Sequence, residues 1–323
     1  MRRFVLQLLA VSSIFLLVSS EAGAVAATGV ANGFRLSPVR VDVSVEKGHS
    51  VTENIYVTNV NNYDVTAKAI VNEFSASTNE TGSPSVLLDN SQPAPANSFR
   101  ALTSSIPDVT IPAGKTATVP VIIKVPLNAN AGGYYGAVRF VSANTNSGST
   151  VTISASVGTI FLVTVPGKLT EHLQLLDFSA GQNNSTASFF TNPKNIQIIT
   201  RVENTGNIHV APVGKINIQD DNGKNVETIE FNNTKPAGEV LPNSTRKYIN
   251  NLQKQNWFGR YTATAYLGYG TLGGLITVKT SFWVIPVWVL ALVGLVLLLL
   301  ATGIIYAVAR RKGVSRRKSH IRE

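Results

Sequence analysis

The 323-residue chain has no cysteine. That absence excludes disulfide staples, a lipid-modified cysteine anchor, cysteine-held metal and a thiol nucleophile. Animal extracellular modules of this size are often disulfide-bonded, so an exported chain without cysteine points to a bacterial surface. Charge is sparse as well: 14% of residues are Asp, Glu, Lys or Arg, and residues 282–309 hold none. Helix-period patterns are scarce before that stretch. There is no Gly-x-Ser-x-Gly elbow, no LPxTG-like sorting motif and no pair of histidines at metal-ligand spacing. These gaps weigh against hydrolase and metal-centre readings and against covalent attachment to a wall.

What is present at the C-terminus is an apolar rod. At ~1.5 Å per residue, Val287–Val308 spans about 33 Å as a helix, the thickness of a hydrocarbon core. Trp283 and Trp288 at one end and Tyr306 at the other place amphipathic rings at the two headgroup layers. Residues 282–309 are therefore expected to form a transmembrane helix. Arg310, Arg311 and Lys312 follow at once, and residues 310–323 carry seven cations against Glu323. The positive-inside rule puts this basic tail in the cytoplasm, in contact with anionic lipid rather than nucleic acid. At the other end, Met1-Arg2-Arg3, the apolar run Phe4–Val18 and Ala22-Gly23-Ala24 read as a signal peptide, residues 1–24. The expected protein crosses the cell membrane once, with its N-terminus extracellular and its C-terminus cytoplasmic.

The formal net charge of +10 then misleads. Of 28 Lys and Arg, 19 lie between signal and rod; of 18 acids, 16 do. The intervening segment is close to neutral, which gives no case for a nucleic-acid partner. It reads as strands throughout. Val39, Val41, Val43 and Val45 alternate with Arg40, Asp42, Ser44 and Glu46. Val119, Val121, Ile123 and Val125 alternate with Thr118, Pro120, Ile122 and Lys124, with Pro120 marking an edge or a bulge. Ile196–Val202, Lys215–Gln219, Val226–Phe231, Arg246–Asn250 and Tyr261–Tyr266 continue the pattern. Asp221-Asn222-Gly223 is a hairpin turn signal.

A weak internal repeat runs through it. Val57-Thr58-Asn59 with Asn61-Asn62-Tyr63 resembles Val202-Glu203-Asn204 with Gly206-Asn207-Ile208. Ile111-Pro112-Ala113-Gly114-Lys115 resembles Leu241-Pro242-Asn243-Ser244-Thr245, and Gly133-Tyr134-Tyr135 resembles Gly259-Arg260-Tyr261. The expected fold class is all-β: two immunoglobulin-like β-sandwich domains, residues 34–166 and 168–280, followed by one transmembrane helix. Residues 75–107, rich in Ser, Asn and Pro, are expected as a long loop in the first domain.

With these turns and the terminal rod, the arrangement resembles the WxL-interacting-protein type of bacterial surface protein. The residues that carry it are the Asn59 turn, Ile111–Lys115 leading into Val119–Val125, residues 131–140, Glu203–Asn207, Leu241–Ser244 and Gly259–Tyr261. The resemblance implies a first domain associated with peptidoglycan in the cell wall and a protein that holds surface partners there.

Candidate chemistry is thin. Tyr134, Tyr135, Trp257 and Tyr261 could form aromatic ledges for sugar, or could serve as core and corner residues of sandwiches. His49, His172 and His209 read as exposed turn residues. Asp220-Asp221-Asn222-Gly223 lacks the twelve-residue register of a calcium loop, so no metal and no cofactor are expected. The function expected is non-enzymatic: a membrane-anchored extracellular binding or scaffold protein engaging wall glycan or other surface proteins. The alternative is a chaperone-like factor that assists exported proteins by β-strand complementation, which requires an exposed edge strand in the first domain.

Overall fold

The computed structural model describes residues 29–31, 33–89, 97–143 and 156–319. The expected signal peptide lies outside the described residues, as do residues 90–96, 144–155 and the last four of the tail. The first half contains β1 (Gly29–Ala31), β2 (Phe34–Ser37), β3 (Arg40–Ser44), β4 (Ser50–Asn59), β5 (Val65–Ala76), β6 (Pro84–Val86), α1 (Phe99–Leu102), β7 (Val109–Ile111), β8 (Thr116–Lys124), β9 (Gly132–Ser142) and β10 (Val157–Val165). The second contains β11 (Leu173–Gln182), β12 (Ser185–Thr186), β13 (Phe189–Phe190), β14 (Ile196–Asn204), β15 (Val213–Asp220), β16 (Asn225–Phe231), β17 (Ser244–Asn251), β18 (Gly259–Tyr269) and β19 (Gly274–Val284). The helix α2 (Val287–Ser319) ends the described chain. The fold is all-β and Ig-like, with one C-terminal apolar helix.

Each half packs two sheets around one core. In the first, β1-β2-β4-β8 faces β3-β10-β9-β5-β6; in the second, β12-β11-β14-β17 faces β13-β19-β18-β15-β16. The long strands follow the same order in both halves; β7 adds to β5 in the first half alone, and the short edge strand precedes its neighbour in the first (β1, β2) but follows it in the second (β11, β12). In both halves a short strand adds in parallel to the outside of the last long strand: β3 on β10 and β13 on β19. Alternation in the sequence explains the layers, because residues two apart share a sheet face. Val119, Val121 and Ile123 of β8 are buried, while Pro120 and Ile122 are exposed. β8 pairs only with β4 among the long strands, so Pro120 does lie on an edge.

The repeat has a physical counterpart. Asn59 and Asn204 are fully buried at the ends of β4 and β14. Asn59 Nδ2 donates to the carbonyls of Tyr63 (2.7 Å) and Ile111 (3.0 Å), and its Oδ1 accepts from the Asn61 N–H (2.9 Å). Asn204 Nδ2 donates to Ile208 (2.7 Å) and Val240 (2.8 Å), and its Oδ1 accepts from the Gly206 N–H (2.8 Å). One side chain thus ties together three backbone groups where a strand turns inside the core.

Two expectations need correction. Residues 75–107 are not simply a loop: β6 pairs with β5, and α1 tucks Phe99 into the core, stacked 5.1 Å from Phe161. The carboxylate of Glu73 accepts from the N–H groups of Phe99 (3.0 Å) and Arg100 (3.0 Å), capping that short helix. The apolar helix also begins later and ends later than 282–309. Phe282 and Val284 are fully buried in the second core, so the sandwich uses them as strand. The ring of Pro286 stops the ladder, and α2 then runs through Arg310, Arg311 and Lys312 because Arg and Lys propagate a helix well. Val287–Val308 has mean hydropathy 2.7 and no part packed against the rest of the chain, which fits a single-pass membrane anchor. Trp283 sits at the end of β19, and Trp288 and Tyr306 are exposed on α2.

Candidate functional site

Polar groups from both sandwiches converge at their junction. Asn207, in the loop after β14, holds the linker: its Oδ1 accepts from the Thr170 N–H (2.7 Å), and its Nδ2 donates to the carbonyls of Lys168 (3.0 Å) and Ala131 (3.3 Å). The Asn207 carbonyl accepts from the Gly133 N–H (2.9 Å). The backbones approach so closely that a Cβ on Gly132 would fall 2.8 Å from that carbonyl oxygen, and Gly132 has φ 140°.

A second clamp comes from the β5–β6 hairpin. Its tip residue Glu80 accepts two hydrogen bonds from Arg201, from Nε (2.7 Å) and Nη2 (2.5 Å), and its carbonyl accepts from the Lys247 N–H (2.7 Å). The guanidinium holds the Glu80 carboxyl below its ordinary pKa. A group depressed in the folded state stabilises above its unfolded value, about 4.3, and the contribution is lost as pH falls through the lowered folded value. Protection of the Lys247 amide from hydrogen exchange should therefore persist from neutral pH to about pH 4 and decline below it. In Glu80→Gln that decline should be absent.

The third element is a cluster at the centre. In β3, Arg40 and Asp42 are two residues apart and share a face. The isolated bridge between Val210 and Val240 sets His209 beside Glu239. Arg40 Nη2 donates to Asp42 Oδ2 (2.6 Å) and Glu239 Oε2 (2.8 Å), crossing the junction. Tyr135, from β9, accepts at its hydroxyl from the His209 backbone N–H (2.8 Å) and lies 3.1 Å from His209 Nδ1, the two rings edge to face at 5.6 Å. His209 Nε2 stands 3.7 Å from Asp42 Oδ1 and 3.9 Å from Glu239 Oε1. Burial raises the Asp42 pKa, but His209 and Arg40 outweigh it and hold the carboxyl below its ordinary value. Burial lowers Arg40, and the two carboxylates more than restore it. The Tyr135 hydroxyl is pushed up by burial. Beside the cluster lies a cleft of about 520 Å³ between the sandwiches, lined by Phe74, Leu87, Asn97, Tyr135, Pro242 and Asn243 among others.

Of the four aromatic residues proposed from the sequence, only Tyr135 belongs to this junction. Trp257 is fully buried with its Nε1–H on the Lys254 carbonyl (2.7 Å). Tyr134 and Tyr261 are buried too, their hydroxyls donating to the carbonyls of Asn130 (3.0 Å) and Phe258 (2.9 Å). They pin corners of the sandwiches, and none of the three offers a face to a sugar. His49 and His172 do lie in exposed settings. His209 does not: it is nine-tenths buried, because the opposing sandwich covers the turn that carries it. The Asp220–Gly223 segment is a hairpin turn, with Asp220 Oδ1 accepting from the N–H groups of Asn222 and Lys224 (3.0 Å each).

No family model matches the chain and no curated protein matches it. Solved structures that are similar include a chain of the chaperone–tip adhesin complex of CFA/I fimbriae (15% identity, 78% of this chain and 99% of that one, TM-score 0.40). Others are a chain of the Salmonella enterica SafA pilin–SafB chaperone complex (13%, 80% and 98%, TM-score 0.36) and the E. coli chaperone DraB (12%, 77% and 96%, TM-score 0.35).

Proposed function

We propose that this chain is a non-enzymatic, single-pass surface protein that holds another exported polypeptide by taking it on as an extra β-strand. In this reading the sandwiches face outward and the basic end of α2 faces the cytoplasm. The observation that carries it is the open side of β19. That strand pairs along its whole length with β18, but β13 covers only Trp283 and Val284 on its other side. Among the described residues, Gly274–Phe282 has no strand there. The equivalent strand of the first sandwich, β10, is covered by β3 from Ile160 to Thr164.

Other edges are protected in ways that discourage pairing. β8 carries Pro120, and its end meets Thr103 and Ser104. β16 carries Glu227 and Glu230. β17 carries Arg246 and Lys247 and receives the Glu80 tip. β19 has one charge, Lys279, in eleven residues, and its Leu275 is exposed. Free N–H and C=O groups on a regular edge give strand addition its affinity, and alternate side chains give it selectivity. The suitable edge is thus in the second sandwich, next to the membrane, rather than in the first. The burial of Trp257, Tyr134 and Tyr261 takes away three of the four rings that could have formed an aromatic ledge for sugar.

A photo-crosslinking residue at position 277, on intact cells, tests this. The expected product is a discrete adduct with an exported polypeptide, much stronger than from position 228 on β16. It should fall at least tenfold when Ser281→Lys and Lys279→Glu alter the edge without touching the core. Equal labelling from both positions, or labelling indifferent to those changes, would count against strand addition. Retention on purified wall polymer that also ignored them would favour a glycan partner.

A further inference from the structure

Asp42, His209 and Glu239 each offer one ligand atom, and these atoms lie within 4.8 Å of one another. The separations of 3.7 and 3.9 Å from His209 Nε2 to Asp42 Oδ1 and Glu239 Oε1 are beyond hydrogen-bonding distance. His209 Nε2 nonetheless faces one oxygen of each carboxylate across those gaps. The imidazole is nine-tenths buried. Its Nδ1 is held by the Tyr135 hydroxyl, so Nε2 is the atom it presents. Arg40 occupies the outer oxygen of each carboxylate, Asp42 Oδ2 and Glu239 Oε2, which turns the inner oxygens toward the imidazole.

From this geometry we propose that Asp42, His209 and Glu239 bind one divalent transition-metal ion of the zinc class. One ligand would come from the first sandwich and two from the second, so the ion bridges the junction. A tetrahedral ion with bonds of about 2.0–2.1 Å sets its ligand atoms roughly 3.4 Å apart. The two separations from Nε2 need a closure of a few tenths of an ångström, and the two carboxylate oxygens, within 4.8 Å of each other, close by rotation of the half-exposed Asp42 side chain. The nitrogen ligand selects against Mg²⁺ and Ca²⁺, which take oxygen. Tyr135 and Arg40 act as the outer groups that orient ligands in such sites. The Asp42 side chain is half exposed, leaving a path for entry and a side for water as fourth ligand. Arg40 offsets one of the two carboxylates, so the site is weaker than one with both free. The proposal concerns the junction alone and does not depend on what pairs with β19.

The test uses the full chain in detergent, stripped with chelator and dialysed against Zn²⁺, with Mg²⁺ and Ca²⁺ in parallel. The expected result is one equivalent of Zn²⁺ per chain by elemental analysis, with a rise in Tm that neither other ion gives. His209→Ala and Glu239→Gln should abolish the bound equivalent, and Tyr135→Phe should weaken it about 10–100-fold. His49→Ala, His172→Ala and His320→Ala should leave it unchanged. Co²⁺ in place of Zn²⁺ should give a visible tetrahedral absorption that Glu239→Gln removes, a readout that holds even if His209→Ala unfolds. Sub-stoichiometric Zn²⁺, or an equivalent that survives both His209→Ala and Glu239→Gln, would overturn the proposal.

Discussion

Trp257→Ala should destabilise the second sandwich by about 3–5 kcal/mol, the usual cost of deleting a buried tryptophan. Trp257 is fully buried between β17 and β18 and belongs to a four-ring cluster. Its ring meets Tyr261 edge to face at 4.7 Å and Phe282 at 6.1 Å; Phe282 in turn stacks on Tyr261 at 5.8 Å and meets Phe190 at 6.0 Å. Those rings join β18, β19 and β13, so removing Trp257 leaves a cavity that rigid strands on several sides cannot close. It also leaves the Lys254 carbonyl without its donor. The loss is a large part of a total stability of about 5–15 kcal/mol. Denaturant unfolding should show it as a lower midpoint in the transition of the second sandwich, with the first unchanged. Trp257→Phe keeps most of the volume and should lose much less. A cost below about 1 kcal/mol for alanine would show that the cluster relaxes around the gap.

That Trp257 is core rather than a binding ledge follows from a hydrogen bond that only the folded chain supplies. A tryptophan among Gln255, Asn256 and Phe258 reads better as core than as ledge, but an exposed place stays open until a carbonyl is found for its N–H. The strands were easier. Ile196–Val202, Lys215–Gln219 and Arg246–Asn250 fall inside β14, β15 and β17 because alternation is a local signal and the core needs one face of each. The repeat was legible at Asn59 and Asn204 for the same reason: one residue type does one local job twice. Its tyrosine register was off by one. Gly132 and Tyr134, not Gly133 and Tyr135, correspond to Gly259 and Tyr261. Both glycines have positive φ (140° and 103°), and both tyrosines bond back to a carbonyl just before the strand. A tandem Tyr134-Tyr135 offers two registers, and only the backbone chooses between them.

The junction cluster was hidden for a different reason. Arg40, Asp42, Tyr135, His209 and Glu239 come from five separate positions in the chain, and each sits in a pattern that reads as an ordinary strand or turn. Arg40 and Asp42 look like the solvent side of an alternating strand, and His209 like a turn residue beside Asn207. What converts them into a site is the docking of one sandwich on the other, fixed by Asn207, Gly132 and the Glu80 hairpin. No local period encodes that docking. The one hint was the second copy of the Asn turn. It carries His209 where the first copy carries Asp64, so the repeats diverge on the side facing the junction.

Asn204→Asp should be worse than Asn204→Ala at neutral pH, and the order should narrow or reverse in acid. Alanine leaves the Ile208 carbonyl and the Gly206 N–H unpaired in a buried turn, and it strips the Val240 carbonyl of one of its two donors, the Val210 N–H (3.1 Å) remaining. At about 1–3 kcal/mol for each unsatisfied group, partly offset by relaxation, the loss is on the order of 3 kcal/mol or more. Aspartate keeps the acceptor for Gly206 but sets a carboxylate oxygen against two carbonyl oxygens in a site without solvent. The substituted carboxyl is then favoured in its protonated form, which can donate to one of the carbonyls, so its folded pKa rises above the unfolded value of about 3.9. A group raised in the folded state contributes stability that is present below the unfolded pKa and lost as pH rises through the folded one. Relative to the unsubstituted chain, Asn204→Asp should therefore be least destabilised near pH 4 and most destabilised near pH 7. Asn59→Asp should repeat the behaviour in the first sandwich, since Asn59 makes the same three bonds. Parallel denaturation of both aspartate and both alanine variants across that range checks the account. If aspartate and alanine cost the same at every pH, the buried amides are filling space rather than supplying hydrogen bonds, and the repeat is one of shape alone.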